Sequence, residues 1–314
     1  MLETKRLISP NTIAVSLLLI IFLVLAIAVL GQRNTQQWAY SGLRVYNVIF
    51  GYGSNTLNHP SAVAVGLKGE VFVANAGNRK IMVFAENGRY LYSFSGPGTG
   101  LAELKNPVAM AVGPNGDLYV SDHDRKEVIV FKSSGEYKYT VSADRPEEFI
   151  PNGIIVGEKG RVFVVNEHDR NLYTFSSEDR KLKKLPGGAK KDGFNINGDL
   201  CWDPDTGKIY GTDIENKQVV VLQNGEITKS WGQKYLSTPG GIAYDRSRKL
   251  VFVSDSVRSR VVVFGADGEY KGEFGSLGEK KHNFNFPEGL AMDQRGKLYV
   301  ADRGNNRVVI YEFR

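Results

Sequence analysis

One pattern, written six times, constrains the fold of this chain more than its composition does. From residues 60, 107, 151, 196, 239 and 287 the same order of features unrolls: an apolar segment, a turn, a Val/Tyr/Phe-rich segment ending in Asn or Asp, a polar turn, and a third apolar segment. The second copy reads PVAMAVGPNGDLYVSDHDRKEVIVF and the fifth PGGIAYDRSRKLVFVSDSVRSRVVVF. The spacings are 47, 44, 45, 43 and 48 residues. Short β-branched and aromatic segments joined by turns such as Gly113-Pro114-Asn115-Gly116 read as strands in hairpins. A period of 40–50 with several short strands per unit means propeller blades rather than helical solenoid repeats. The expected fold class is all-β, a six-bladed β-propeller.

Each blade needs a fourth, outer strand, and Gly-led segments supply it: Gly88-RYLYSF, Gly135-EYKYTV, Gly225-EITKSW and Gly268-EYKGEF. Blade 3 has Asp179-RKLKKL there, without the glycine. The sixth unit reaches Arg314 directly after its third strand, whereas Gly42-LRVYNVIFGYGS matches the outer-strand pattern and precedes the first unit. The N-terminal strand is therefore expected to complete blade 6, removing an open sheet edge, with the propeller at 41–314.

Ahead of it, Ile13 to Leu30 is apolar apart from Ser16. As a helix these residues span about 27 Å, close to a bilayer core. The expected layout is a cytoplasmic tail at 1–12, a transmembrane signal-anchor helix at 13–31 and a linker at 32–40. Lys5 and Arg6 precede the apolar run and Arg33 follows it, so the positive-inside rule places the N-terminus in the cytoplasm and the propeller outside, in the periplasm or at the cell exterior. Cleavage near Ala26-Ile27-Ala28 would instead make the protein secreted. The single Cys excludes an intramolecular disulfide framework and a Cys-based zinc cluster.

The consensus P-x-G-I-A-x-D-x-x-G-x-L-Y-V-A-D-x-x-N-x-R-V resembles the NHL repeat, and the copy PEGLAMDQRGKLYVADRGNNRVVIY from Pro287 matches almost throughout. The resemblance covers all six units and implies a six-bladed propeller. It leaves function open, because such propellers host enzymes, RNA binders and scaffolds.

The Asx residues ending each second strand (Asn75, Asp122, Asn166, Asp213, Asp255 and Asp302) are expected to cap the following turn. The residues after the lead position depart from the repeat: Ser61, Val108, Asn152, Asn197, Gly240 and Glu288. Asn152, Asn197 and Glu288 carry oxygen donors suited to a divalent cation such as calcium. Their surroundings, Pro151-Asn152-Gly153, Asn197-Gly198 and Pro287-Glu288-Gly289, are similar to motifs of the gluconolactonase and senescence-marker family. There a Glu, an Asn and an Asp hold a metal that polarises a lactone or ester. No Asp stands at the equivalent position here, and Asp199 lies two residues further on. A metal-dependent lactonase- or esterase-like hydrolase at the central channel is thus the competing expectation. The amidating lyases, which also resemble NHL propellers, need converging His residues, and His59, His123, His168 and His282 all lie off the required position. Cys201, at the fifth residue after the lead like Val65, Val112 and Val156, is expected to be a small buried strand residue.

Basic residues gather at Arg180, Lys181, Lys183, Lys184, Lys190 and Lys191. RNA binding is a second alternative, but phosphate affinity needs a broad basic footprint and not one loop. The main expectation is a binding or scaffold module, more a binder than an enzyme, for a protein partner or membrane complex. Lys190, Lys191, Phe194, Lys280, Lys281 and Phe284, on the long loops at 185–195 and 276–286, are its expected contact residues.

Overall fold

A computed structural model describes residues 42–95, 103–157, 159–186 and 195–313. The tail, apolar segment and linker at 1–40, together with Lys190, Lys191 and Phe194, lie outside the described residues. Among the described residues, no helix is long and apolar enough to cross a membrane.

Six four-stranded antiparallel sheets make six blades. Blade 1 runs through Pro60–Val65, Val71–Asn75, Lys80–Phe84 and Tyr90–Phe94. Blade 6 takes Pro287–Met292, Leu298–Asp302 and Arg307–Phe313 from one end of the domain. Its outer strand comes from the other end: Leu43–Ile49 pairs antiparallel with Arg307–Phe313, in a register from Leu43 opposite Phe313 to Ile49 opposite Val308. The ring is therefore closed by the N-terminal strand, and the edge of the last strand is paired.

Second and third strands are apolar on both faces because each blade is sandwiched between two neighbours. Val71, Phe72, Val73 and Ala74 are all fully buried. Phe72, Ile81 and Val83 of blade 1 pack against Met110, Leu118 and Phe131 of blade 2, and the other seams repeat this arrangement. Complete burial of such a side chain is worth about 1.5–3 kcal/mol, so the inter-blade seams hold most of the stability. The glycines that open the outer strands of blades 1, 2, 4 and 5 sit at φ of 83° to 88°, a left-handed turn conformation that a side chain would strain. Blade 3 lacks that glycine, and its outer strand shrinks to Lys183–Lys184.

The strand-end Asx residues do more than cap the next turn. Asn75 Oδ1 accepts from Asn58 N at 2.6 Å, Asp122 from Lys105 N and Asn106 N, and Asp302 from Asn285 N. Each buried amide or carboxylate thereby fastens the loop that delivers the chain to the lead residue of its own blade. Arg260 and Arg307 pair with Asp255 and Asp302 in the same blade, which accounts for the basic residue five positions on.

Phe284 corrects an expectation. It is fully buried, wedged between Phe274 and Tyr311 with ring centroids 6.1 Å from each. Leu57, Leu104 and Leu236, each three residues before its lead Pro as Phe284 is, are also buried. The position is an apolar plug of the seam and not a contact for a partner. Lys280 and Lys281 are exposed.

Candidate functional site at the central channel

The six first strands line a central channel, and its two ends differ. At the lead-residue end the strands converge. A Cβ on Gly153 would lie 2.5 Å from Asp199 Cα, and one on Gly289 would lie 2.7 Å from Ala62 Cα. Only Gly fits where backbones approach so closely. Side chains also staple successive blades at this level. Ser61 Oγ donates to Pro107 O at 2.6 Å, Asn152 Nδ2 to Asn197 O at 3.0 Å, Thr212 Oγ1 to Gly240 O at 2.8 Å, and Ser254 Oγ to Glu288 O at 2.7 Å.

The three expected metal ligands sit at this narrow end, and two of them, Asn197 and Glu288, already use an oxygen that a cation would need. Asn197 Oδ1 accepts from Ile214 N at 2.8 Å, capping its own blade's turn. Asn152 spends its amide N–H on Asn197 O and on Glu167 Oε2. Glu288 pairs with Arg303 at 2.6 Å. Burial pushes the Glu288 carboxyl above its ordinary range, and Arg303 partly offsets this. Among the described residues, no group of three or more His, Cys, Asp or Glu side chains converges to hold a metal. A divalent cation needs several free oxygen donors aimed at one point, so this donor set does not fit one.

The opposite end widens into a cavity of about 950 Å³, open toward the turns between first and second strands and lined at its rim by Lys68, Arg246 and Arg295. Its walls are mixed, with Ala64, Met110, Ile155, Leu200, Ala243 and Leu290 giving apolar surface beside the charged and polar residues. This volume lies at the upper end of small-molecule pockets.

Blade 4 breaks the ring's symmetry, and the sequence pattern misplaced it by one residue. Cys201 pairs with Tyr210, as Ala64 pairs with Phe72 and Ala243 with Phe252 in their blades. Cys201 therefore corresponds to Ala64 and Ala243 and not to Val65. Blade 4 carries one extra residue between its lead and its first strand, which begins only at Leu200. Cys201 is buried as expected, and that burial pushes its thiol well up, so it is no nucleophile. The slip also moves Asp199 to the level of the small-residue ring, where Ala62, Ala109, Gly153, Gly241 and Gly289 stand in the other blades. Asp199 lines the wide cavity, and its Oδ1 accepts from Leu200 N at 2.8 Å. Burial pushes its carboxyl up to about 7.

The basic cluster of blade 3 is partly neutralised where it is described. Lys183 pairs with Asp179 and Lys184 with Asp169, and Arg180 stacks over the Tyr139 ring.

Residues 107–313 match the family model for the SMP-30/gluconolactonase/LRE-like region. The chain belongs to this family. The SMP-30/gluconolactonase/LRE-like chain is also similar, at 25% identity over 161 residues, to NHL repeat-containing protein 2 of Gallus gallus, and at 24% to that of Homo sapiens. The match covers 48% of the chain but 19% of either relative, so the chain spans about a fifth of those proteins. Among solved structures it shares its fold with a streptogramin B lyase (TM-score 0.64, 12% identity, 88% of this chain and 99% of that one). A virginiamycin B lyase from Staphylococcus aureus is comparable (TM-score 0.62, 13% identity, 87% and 88%). These likenesses support the propeller fold, and the six four-stranded sheets give its blade number.

Proposed function

We propose that this family member is a binding module and not a metal-dependent hydrolase. One observation carries the reading: at the level where a cation would bridge the first strands, the Asn197 Oδ1 and the Glu288 carboxylate are committed to Ile214 N and to Arg303, and Asn152 is tied by its amide N–H to Asn197 O. In this reading residues 13–31 anchor the chain in a membrane with the propeller outside the cytoplasm. The anchor keeps the propeller near the bilayer and raises the effective concentration of membrane-bound partners. The exposed 276–286 loop, with Lys280 and Lys281, is its contact surface for an acidic protein partner.

Two experiments test this. Full-length protein incubated with a panel of lactones and esters, with and without calcium, manganese or zinc, is expected to show no turnover above the metal-only control. Turnover lost in an Asn152→Ala/Glu288→Ala variant contradicts the proposal. Crosslinking in membranes should give a defined protein adduct that a Lys280→Glu/Lys281→Glu variant loses. An adduct unchanged by those substitutions removes the loop from the contact surface.

The hydrolase remains the second reading, favoured by membership of a family whose model carries the gluconolactonase name.

A further inference from the structure

We propose that the cavity that opens toward the wide end of the channel binds an organic cation, a primary ammonium or guanidinium group on an apolar body, with Asp199, at the inner end of that cavity, as its counterion.

The register makes the position unusual. Five blades place Ala or Gly at this level of the ring, and blade 4 places a carboxylate there by inserting one residue ahead of its first strand. Shape does not require this, since the ring closes on small residues everywhere else.

Charge accounting leaves two acids of the cavity without a cationic partner, Asp199 where the strands converge and Asp293 in a turn near the rim. Of the other acids that line the cavity, Glu86 pairs with Arg295 and Lys297, and Asp245 pairs with Arg248. Asp293 accepts from two backbone amides of its own turn, Arg295 N and Lys297 N, and from the Tyr299 hydroxyl. Arg246, on the rim, pairs with Asp205. Among the described residues, Asp199 is held by backbone amides alone, those of Leu200 and of Ile242 on the next blade. These donors fix the carboxylate against the channel wall without neutralising it. A carboxylate in apolar surroundings without a counterion is costly, and a ligand that brings the positive charge removes that cost. Asp199 is partly withdrawn from solvent, so the pairing is also stronger than on a flat, fully exposed surface. An anionic ligand meets a like charge at Asp199 and is disfavoured.

The walls say what carries the charge. Leu200, Ile242, Ala243 and Leu290 present apolar surface, and Trp202 and Tyr244 add aromatic surface. The cavity volume suits a small molecule or a single side chain inserted from a partner.

The test uses the full-length chain in lipid nanodiscs. n-Butylammonium is titrated against 1-butanol and butyrate, with Trp202 fluorescence as the readout and Trp202→Phe to assign the signal. Saturable binding of butylammonium is expected, at least about tenfold tighter than 1-butanol, with none for butyrate. Asp199→Asn keeps an acceptor for the Leu200 and Ile242 amides and removes the charge. It is expected to weaken butylammonium at least about tenfold and leave 1-butanol unchanged. Should that variant not fold, the selectivity of the unaltered protein decides. Equal binding of the amine and the alcohol, no saturable binding of the amine, or undiminished binding in a folded Asp199→Asn variant overturns the proposal.

Discussion

Gly241 lies so close to Glu288 on the next blade that a Cβ there would stand 2.4 Å from the Glu288 carbonyl oxygen. Packing of this kind sets the diameter of the ring at its narrow end. Gly241→Ala is expected to cost about 1–3 kcal/mol, because neither backbone can yield without opening a seam. Gly42→Ala, with nothing within 4 Å of the added carbon, should stay within about 0.5 kcal/mol of the parent. Thermal unfolding followed by circular dichroism compares the two. Equal melting temperatures would mean that the ring does not close on this contact.

The hydroxyl staples make a finer prediction. Ser254 Oγ reaches Glu288 O at 2.7 Å, whereas Ser121, its counterpart in blade 2, is buried with its Oγ unpartnered. Ser254→Ala should lower stability by about 1 kcal/mol, and Ser121→Ala should be neutral or slightly stabilising. Urea midpoints for the two variants check the order. A larger loss at Ser121 than at Ser254 contradicts it.

Ring closure depends on Leu43–Ile49 lying against Arg307–Phe313. A chain beginning at residue 50 exposes the edge of the last strand and removes Ile49 from the seam between blades 6 and 1. It is expected to self-associate. Light scattering reads this directly, and a stable monomer with an unchanged melting temperature would show that the closing strand is dispensable.

Asp199 gives stability a pH dependence of definite sign. Its carboxyl is pushed up to about 7 by burial, while in the unfolded chain it titrates near ~3.9. Below both values the two states hold the proton alike. Between them the unfolded state releases it and the folded state keeps it, so stability falls as pH rises from ~4 to 7 and levels off above. Across that window, removing the group should flatten the profile by an amount on the order of a few kcal/mol. Urea titrations of the parent and Asp199→Asn at pH 4.5 and 7.5 make the comparison, and parallel profiles would place the carboxylate in water.

The architecture was legible in the sequence because a propeller repeats its local physics. The same strand lengths, turns and Asx positions recur in every blade, and departures average out over six copies. Closure was legible for the same reason, since the strand missing after Arg307–Phe313 has its counterpart at Leu43–Ile49. What averaging hides is a slip of one residue in a single copy. Spacing put Cys201 level with Val65, but the strand pairing puts it level with Ala64, and the same slip is what brings Asp199 to the ring. Phe284 was misjudged because a long loop suggests exposure. The signal against this was present in Leu57, Leu104 and Leu236, buried at the same distance before their own lead Pro. Asn152, Asn197 and Glu288 depart from the repeat by residue type, yet residue type does not reveal whether a lone pair is free. Ile214 N and Arg303, which occupy two of them, come from the turn after the second strand, and their approach is fixed only by the folded blade.

The most direct test is calorimetric titration of calcium into the chelator-treated full-length protein, beside the Asn152→Ala/Glu288→Ala variant. A binding module whose channel mouth is closed by its own hydrogen bonds should give no saturable heat in either protein. One-to-one calcium binding by the parent, absent from the variant, would contradict the account.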